Sequence, residues 1–262
     1  SAFAALVSMG GAPRASIMMG KGDKETAEKI LGNCTTMLVL MAAVLTAVIL
    51  LFGKPILLMF GASDNTIGYA WDYMSIYAMG TIFVQISLGL NAFINAQGYA
   101  RTGMLTVAIG AVCNIILDPI LIFGLDMGVK GAALATILSQ AVSFVWVLRF
   151  LTSGKSFLRI RKGYLKLSAD IILPCIGLGV SPFIMQFTES IISVCFNTSL
   201  LKYGGDIAVG AMTIMTSVMQ FSMLPLQGLT QGAQPIISFN YGAGNIERVK
   251  KAFRLLLASS LV

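Results

Sequence analysis

The chain has 262 residues, 56% of them hydrophobic and only 11% charged, with a net charge of +7 and no histidine. Soluble domains carry about 25% charged residues, so this composition and a mean hydropathy of +0.84 exclude an ordinary soluble domain and point to an integral membrane protein. The absence of histidine removes the commonest catalytic base, metal ligand and near-neutral pH switch.

A membrane-spanning helix needs ~20 mainly apolar residues. In chain order, the pattern predicts a partial helix ending near Met19, then six complete spans at roughly 31–53, 70–96, 104–124, 131–152, 170–200 and 207–240. A last partial helix starts near Val249. Lys54 to Ser63 is too short to span and reads as an interfacial segment, and Pro225 and Pro235 predict bends in the long 207–240 run. Both ends fall inside apolar runs, so the expectation is a piece of a longer chain. Cys34, Cys113, Cys175 and Cys195 lie in apolar runs without metal-ligand spacing. They read as packing residues, with no metal site and no disulfide framework.

The loops test this helix count. Those around 14–29, 97–102, 149–169 and 241–254 hold 15 of the 18 Lys and Arg residues, and the alternate loops hold Lys54, Lys130 and Lys202. Basic residues concentrated on alternate loops place those loops in the cytoplasm and argue against a nucleic-acid partner. The stretch GKSFLRIRKGYLK, 154–166, reads as a basic cytoplasmic linker with attraction for anionic lipid.

An internal repeat appears at an offset of 222, where residues 10–29 and 232–251 share seven identities in twenty positions without gaps. They include Gly10/Gly232, Pro13/Pro235, Ser16/Ser238, Gly20/Gly242 and Gly22/Gly244. An even number of helices separates the copies, so both face the same side and the repeat is parallel, about an axis along the membrane normal. Two such units give a twelve-helix protein of two six-helix lobes. The Gly-x-Gly of each copy follows no strand and reads as a tight helix–loop–helix turn.

Polar residues inside the spans mark function, because a carboxyl at the bilayer centre costs ~2.5–3.5 kcal/mol on insertion scales and faces a protein interior or watery cavity. Thr106, Gly110, Asn114 and Asp118 form one stripe at spacing four, and Pro119 loosens the helix beside the acid. Thr136, Gln140 and Ser143 share a face of the next helix. Pro182, Gln186, Glu189, Ser193 and Asn197 form another polar face, with Glu189 the second mid-membrane acid. Gln227, Gln231, Gln234 and Ser238 form a stripe that is either a substrate-facing wall or glue between lobes. Gln85, Asn91 and Asn95 fit repeat packing. Asn114 and Thr136 also fit ordinary interhelical hydrogen bonding.

In sequence order, NAFINAQGYARTGM (91–104), GAVCNIILDPILI (110–122) and QGAQPIISFNYGAGN (231–245) resemble the multidrug and toxic compound extrusion (MATE) transporters over the whole chain. SPFIMQFTESI (181–191) is most similar to the MepA-like bacterial branch. The resemblance implies an all-α polytopic membrane fold running from within helix 2 to the start of helix 9. Residues 1–153 would belong to the amino-terminal lobe, 154–169 to the linker and 170–262 to the start of the second lobe. It also implies that Asn114, Asp118 and Thr136 bind the coupling cation, in a network that includes a helix 1 aspartate, with Glu189 the counterpart in the second lobe. Gln186, Ser193, Asn197, Gln227 and Gln231 would line the substrate cavity. The implied activity is H+- or Na+-coupled export of amphipathic, often cationic, small organic molecules by a monomer in a bacterial plasma membrane, without a cofactor. A lipid-linked saccharide flippase is the alternative, disfavoured because no basic residue falls mid-helix. An enzyme would need clustered acids or a histidine near one membrane face.

Overall fold

The computed structural model describes residues 2–59 and 67–261, without the side chains at 59, 197, 201, 202, 206, 207 and 209. Among the described residues every regular element is helical: α1 (Ala2–Gly20), α2 (Lys24–Met59), α3 (Ile67–Met79), α4 (Thr81–Ala96), α5 (Ala100–Pro119), α6 (Gly128–Thr152), α7 (Ala169–Gly242) and α8 (Ile246–Ser260). Four runs are long and apolar enough to cross a bilayer, in α2, α5 with its continuation, α6 and the start of α7; the bent pair α3–α4 makes a fifth. The expected span at 207–240 is helical, in the second arm of α7, but is not among these.

The distribution of polarity is that of a protein in lipid. Glu28, Asn33, Gln85, Thr106 and Ser143 are buried, whereas Phe123 is 81% and Leu51 75% exposed. Water-facing apolar patches of that extent are rare on soluble monomers. The core gathers Leu31, Leu38, Leu90, Phe93, Val147 and Leu151 from α2, α4 and α6 around α1. The central helix α1 touches α2, α4 and, most extensively, α7.

Several boundaries differ from the expected ones. The run 70–96 is two helices meeting at 55° about Gly80. A Cβ there would strike the side chain of Ile137, so a glycine lets α6 press into the bend. The segment from Lys54 is not separate up to Met59, since α2 carries through Pro55; residues 60–66 lie outside the described ones. Pro225 and Pro235 leave α7 helical, and its one non-helical residue is Gly205, at φ 63°. That break falls between the two expected spans. Arg14, counted with the first basic loop, lies inside α1.

Pro119 does weaken its helix. Beyond it the chain continues as a π-helical turn, Ile120–Gly124, the wide turn typical of a helix carrying an inserted irregularity.

The repeat is visible in individual bonds. After α1, the Asp23 amide donates to Met18 O at 3.0 Å and Gly22 takes φ 81°; after α7, the Asn245 amide donates to Asn240 O at 2.9 Å and Gly244 takes φ 75°. Both are six-to-one helix caps built on a left-handed glycine. Where α1 and the end of α7 cross, a Cβ on Gly20 would meet the carbonyl of Phe239, and one on Gly242 would meet that of Ile17. Ile17 and Phe239 are themselves repeat equivalents, as are the two glycines. Such a self-complementary contact needs a local two-fold axis, as the parallel repeat requires.

The basic stretch after α6 is fastened along its length to the first six helices. Gln97 Oε1 accepts from Leu158 N (2.8 Å) and Ser156 Oγ (3.0 Å). The Glu28 carboxylate, buried at the start of α2, pairs with Arg161 Nε at 2.7 Å. Asn33 accepts from Ser168 N at 2.7 Å, and Thr36 donates to Leu165 O at 2.7 Å. A segment read from its charge alone is a strap with fixed partners.

Candidate functional site

Two cavities lie next to each other in the bundle. The larger, about 320 Å³, opens where α1 and α4 face both arms of α7. Its wall includes Met9, Pro13 and Ser16 and their repeat equivalents Gln231, Pro235 and Ser238, so the local two-fold axis passes through it. Asn91, Asn95, Gln186 and Gln234 add amides. In its wall the Ser16 hydroxyl can donate to Pro235 O (3.3 Å) or to Ala96 O (3.4 Å). One turn further, the Gly20–Gly242 crossing closes the helices beside the two basic loops.

The smaller cavity, about 220 Å³, lies between α4, α5 and α6. Asn114 and Thr136 both line it, with Ser87, Asn91, Gln140 and Ser143. Helix spacing explains the convergence: Thr106, Gly110 and Asn114 come round every four residues on α5 to face Ser139, Gln140 and Ser143 on α6. Gly110 permits the approach, since its Cβ would meet Ser143 Oγ, and Ser143 Oγ donates to Thr106 O at 3.0 Å. Ser87 Oγ donates to Gln140 Oε1 at 3.0 Å, joining α4 to α6. Two polar atoms remain: Asn114 Nδ2 and Asn91 Oδ1 are buried without a hydrogen-bond partner among the described residues. Leaving such an atom unpaired costs ~1–3 kcal/mol; of the two, Asn91 Oδ1 is an acceptor that a proton or cation can meet, whereas the Asn114 amide nitrogen only donates.

The family model for MatE matches residues 1–120 and 182–262. The chain belongs to the MatE family. It is 27% identical, over its full length, to the multidrug export protein MepA of Staphylococcus haemolyticus, and spans 57% of that protein. It is 27% identical over 208 residues to MepA of Staphylococcus aureus strain NCTC 8325, covering 46% of that chain. Among solved structures, the MATE multidrug transporter DinF-BH superposes with a TM-score of 0.91 at 33% identity, over 97% of this chain and 57% of that one. The chain thus spans about half the length of the relatives it matches. MatE proteins are transporters rather than enzymes, and the all-helical polytopic fold read from the sequence is the one found.

The structure of this MatE chain sorts the expected site residues. Asn114 and Thr136 meet in the smaller cavity, though the Thr136 hydroxyl donates to Ala132 O of its own helix at 2.9 Å. Asp118 is one turn beyond that wall, half-buried, with no hydrogen bond or ion pair among the described residues. Gln186 and Gln231 line the larger cavity. Gln227, Glu189 and Ser193 are exposed and line neither cavity; the Asn197 side chain is outside the described ones. Glu189 therefore stands apart from the first group, on α7.

Ser87 and Ser139 escaped the sequence reading. Ser87, Asn91 and Asn95 are spaced by four, so the stripe that marks α4 was present, but a serine in an apolar helix carries little signal because it bonds its own backbone (here to Val84 O) as readily as a neighbour.

Proposed function

We propose that this chain supplies most of the first lobe and the start of the second in a secondary active exporter of small organic molecules, coupled to entry of H+ or Na+. Residues 1–153 form one lobe, 170–262 begin the other, and the strap between them belongs mechanically to the first. Substrate occupies the larger cavity, and the coupling ion enters the smaller one, where Asn114 and Thr136 supply oxygens and Asp118 at its margin supplies charge. The observation that carries this reading is the shared wall: Leu88, Asn91 and Val107 line both cavities, so an ion in one alters the packing around a substrate in the other. An ion drives such a machine only through different affinities for its two conformations. The closed crossing at the basic end corresponds to the arrangement shut toward the cytoplasm.

The walls also bear on substrate chemistry. No Asp, Glu, Lys or Arg lines the larger cavity among the described residues, so recognition rests on amides, hydroxyls, alanines and a methionine. That suits amphipathic molecules held by shape and hydrogen bonds, and counts against a flippase that grips pyrophosphate through cations. The protein works as a monomer in a bacterial plasma membrane and needs no cofactor.

The test uses the full-length protein in liposomes with Na+ and pH gradients imposed separately. Uphill efflux should follow one gradient, and Asp118→Asn should reduce it to background while the protein still folds. Undiminished gradient-driven efflux by that variant would overturn the assignment.

A further inference from the structure

The strap carries a two-residue alternation beneath its charge. Ser156 and Leu158 point inward, 3% and 0% exposed, and the Ile160 amide donates to Leu151 O at 3.2 Å. In extended backbone the residues between them point the other way, and Lys155, Phe157, Arg159 and Arg161 are all exposed. Arg161 is engaged by Glu28. Lys155, Arg159, Lys162 and Lys166 are exposed and pair with no carboxylate among the described residues. No Asp or Glu occurs in 149–169. At the inner end Leu167, next to Lys166, is 42% exposed.

The strap also has a depth. It rises along α2 from Glu28, which holds Arg161, to Thr36, which donates to Leu165 O, about 12 Å by helix rise. Gly32 permits this closeness: a Cβ there would strike the Tyr164 carbonyl, and Asn33 Nδ2 donates to the same oxygen at 3.2 Å. The apolar run of α2 begins near residue 31, and a headgroup layer is roughly 5–7 Å deep on each face of a bilayer. The climb therefore crosses the level of the lipid phosphates, on the side that the basic loops place in the cytoplasm.

We propose that the outward row of the strap is a docking surface for anionic phospholipid of the cytoplasmic leaflet. Lys155, Arg159, Lys162 and Lys166 meet the phosphates, and Leu167 lies among the upper acyl carbons. Net charge by itself gives only a diffuse attraction. Here Gln97, Asn33 and Thr36 pin the backbone, so the cations are arranged before lipid arrives and less ordering is lost on binding. On the deeper part, the lysine stems lie along apolar surface while the ammonium groups reach out to the phosphate layer.

The experiment uses full-length protein in nanodiscs of phosphatidylcholine with a minor fraction of phosphatidylglycerol, and its outcome does not depend on transport. Leu167→Trp reports lipid contact through quenching by chain-brominated lipid, with the parent protein supplying the background of Trp71 and Trp146. Brominated phosphatidylglycerol should quench the added tryptophan more than brominated phosphatidylcholine at the same fraction, and high salt should shrink the difference. Each cation near an anionic surface is worth about fivefold in binding. Combining Lys155→Gln, Arg159→Gln, Lys162→Gln and Lys166→Gln should therefore abolish the preference, with the unfolding midpoint unchanged because the pinning bonds remain. Equal quenching by the two lipids, or a preference that survives in the combined variant, overturns the proposal. Quenching by neither means that the row faces away from lipid, and overturns it too. A preference lost to inorganic phosphate at matched ionic strength would assign the row to a soluble phosphate and sink the lipid partner.

Discussion

Asn114 sets a structural role and a functional one in opposition. Its Nδ2 is buried and unpaired among the described residues, so as a packing group it is a liability of ~1–3 kcal/mol. Replacing it with leucine, which keeps the same branched set of side-chain heavy atoms without the polar groups, should leave the thermal unfolding midpoint unchanged or raised. The same variant should lose gradient-driven efflux. A structural hydrogen bonder would behave the other way, losing stability and keeping coupling. The neighbouring acid was legible from sequence because an ionisable group in an apolar helix has no inexpensive reason to be there, and the same argument singled out Glu189. Only the first lies beside a cavity: Asn114 and Thr136 face it from two helices, whereas Glu189 is exposed on α7. Spacing along one helix fixes which residues share a face, but not what the face meets.

Among the elements, the strap from Ser153 to Ser168 shows where charge patterning stops being informative. The six basic residues in 149–169 read as part of an orientation signal, and that reading conceals that Arg161 has a dedicated partner. Glu28 is 3% exposed in its side chain while Arg161 is 58% exposed, so one half of the pair is committed to the protein. Its repeat equivalent at position 250 is a lysine, so the second copy cannot hold a strap this way. Arg161→Ala leaves the Glu28 carboxylate buried without its cation and should destabilise the protein by ~1–3 kcal/mol. Glu28→Gln keeps one acceptor oxygen, for Arg161, and sets an amide donor opposite Arg159 N; because it leaves no charge buried and unpaired it should cost less. Unfolding midpoints, with the rate of tryptic cleavage within 155–166, separate the two. Equal midpoints and unchanged cleavage in Arg161→Ala would mean that the pair holds nothing. The break at Gly80 was hidden from sequence for a related reason: a glycine in an apolar helix signals neither bend nor straightness until Ile137 of α6 presses against it.

For the molecule as a whole, the two-fold contact between Gly20 and Gly242 turns a sequence repeat into a mechanical statement. Each glycine fits against the backbone of the other copy, Gly20 at Phe239 and Gly242 at Ile17. A valine at either position forces the same two backbones apart. Overpacking of this kind costs ~1–3 kcal/mol, and it falls on the closed arrangement alone, since an arrangement open at the basic end has no such contact. A bias of that size shifts the ratio of the two states by roughly 5–150-fold. Gly20→Val and Gly242→Val should therefore act alike despite lying 222 positions apart. Their double variant should show less than the summed effect, because both break one interface. Gly228→Val, on the same arm of α7 with open space around it, is the control. The readout is a cysteine at Ser238, in the cavity wall just inside the crossing, labelled in inverted vesicles by a membrane-impermeant maleimide. Labelling should rise in both glycine variants and stay low in the control. A rise in one alone would deny the symmetry of the contact. A rise in neither would mean that the crossing is not what closes the cavity toward the basic loops, and the alternating-access reading would lose its gate.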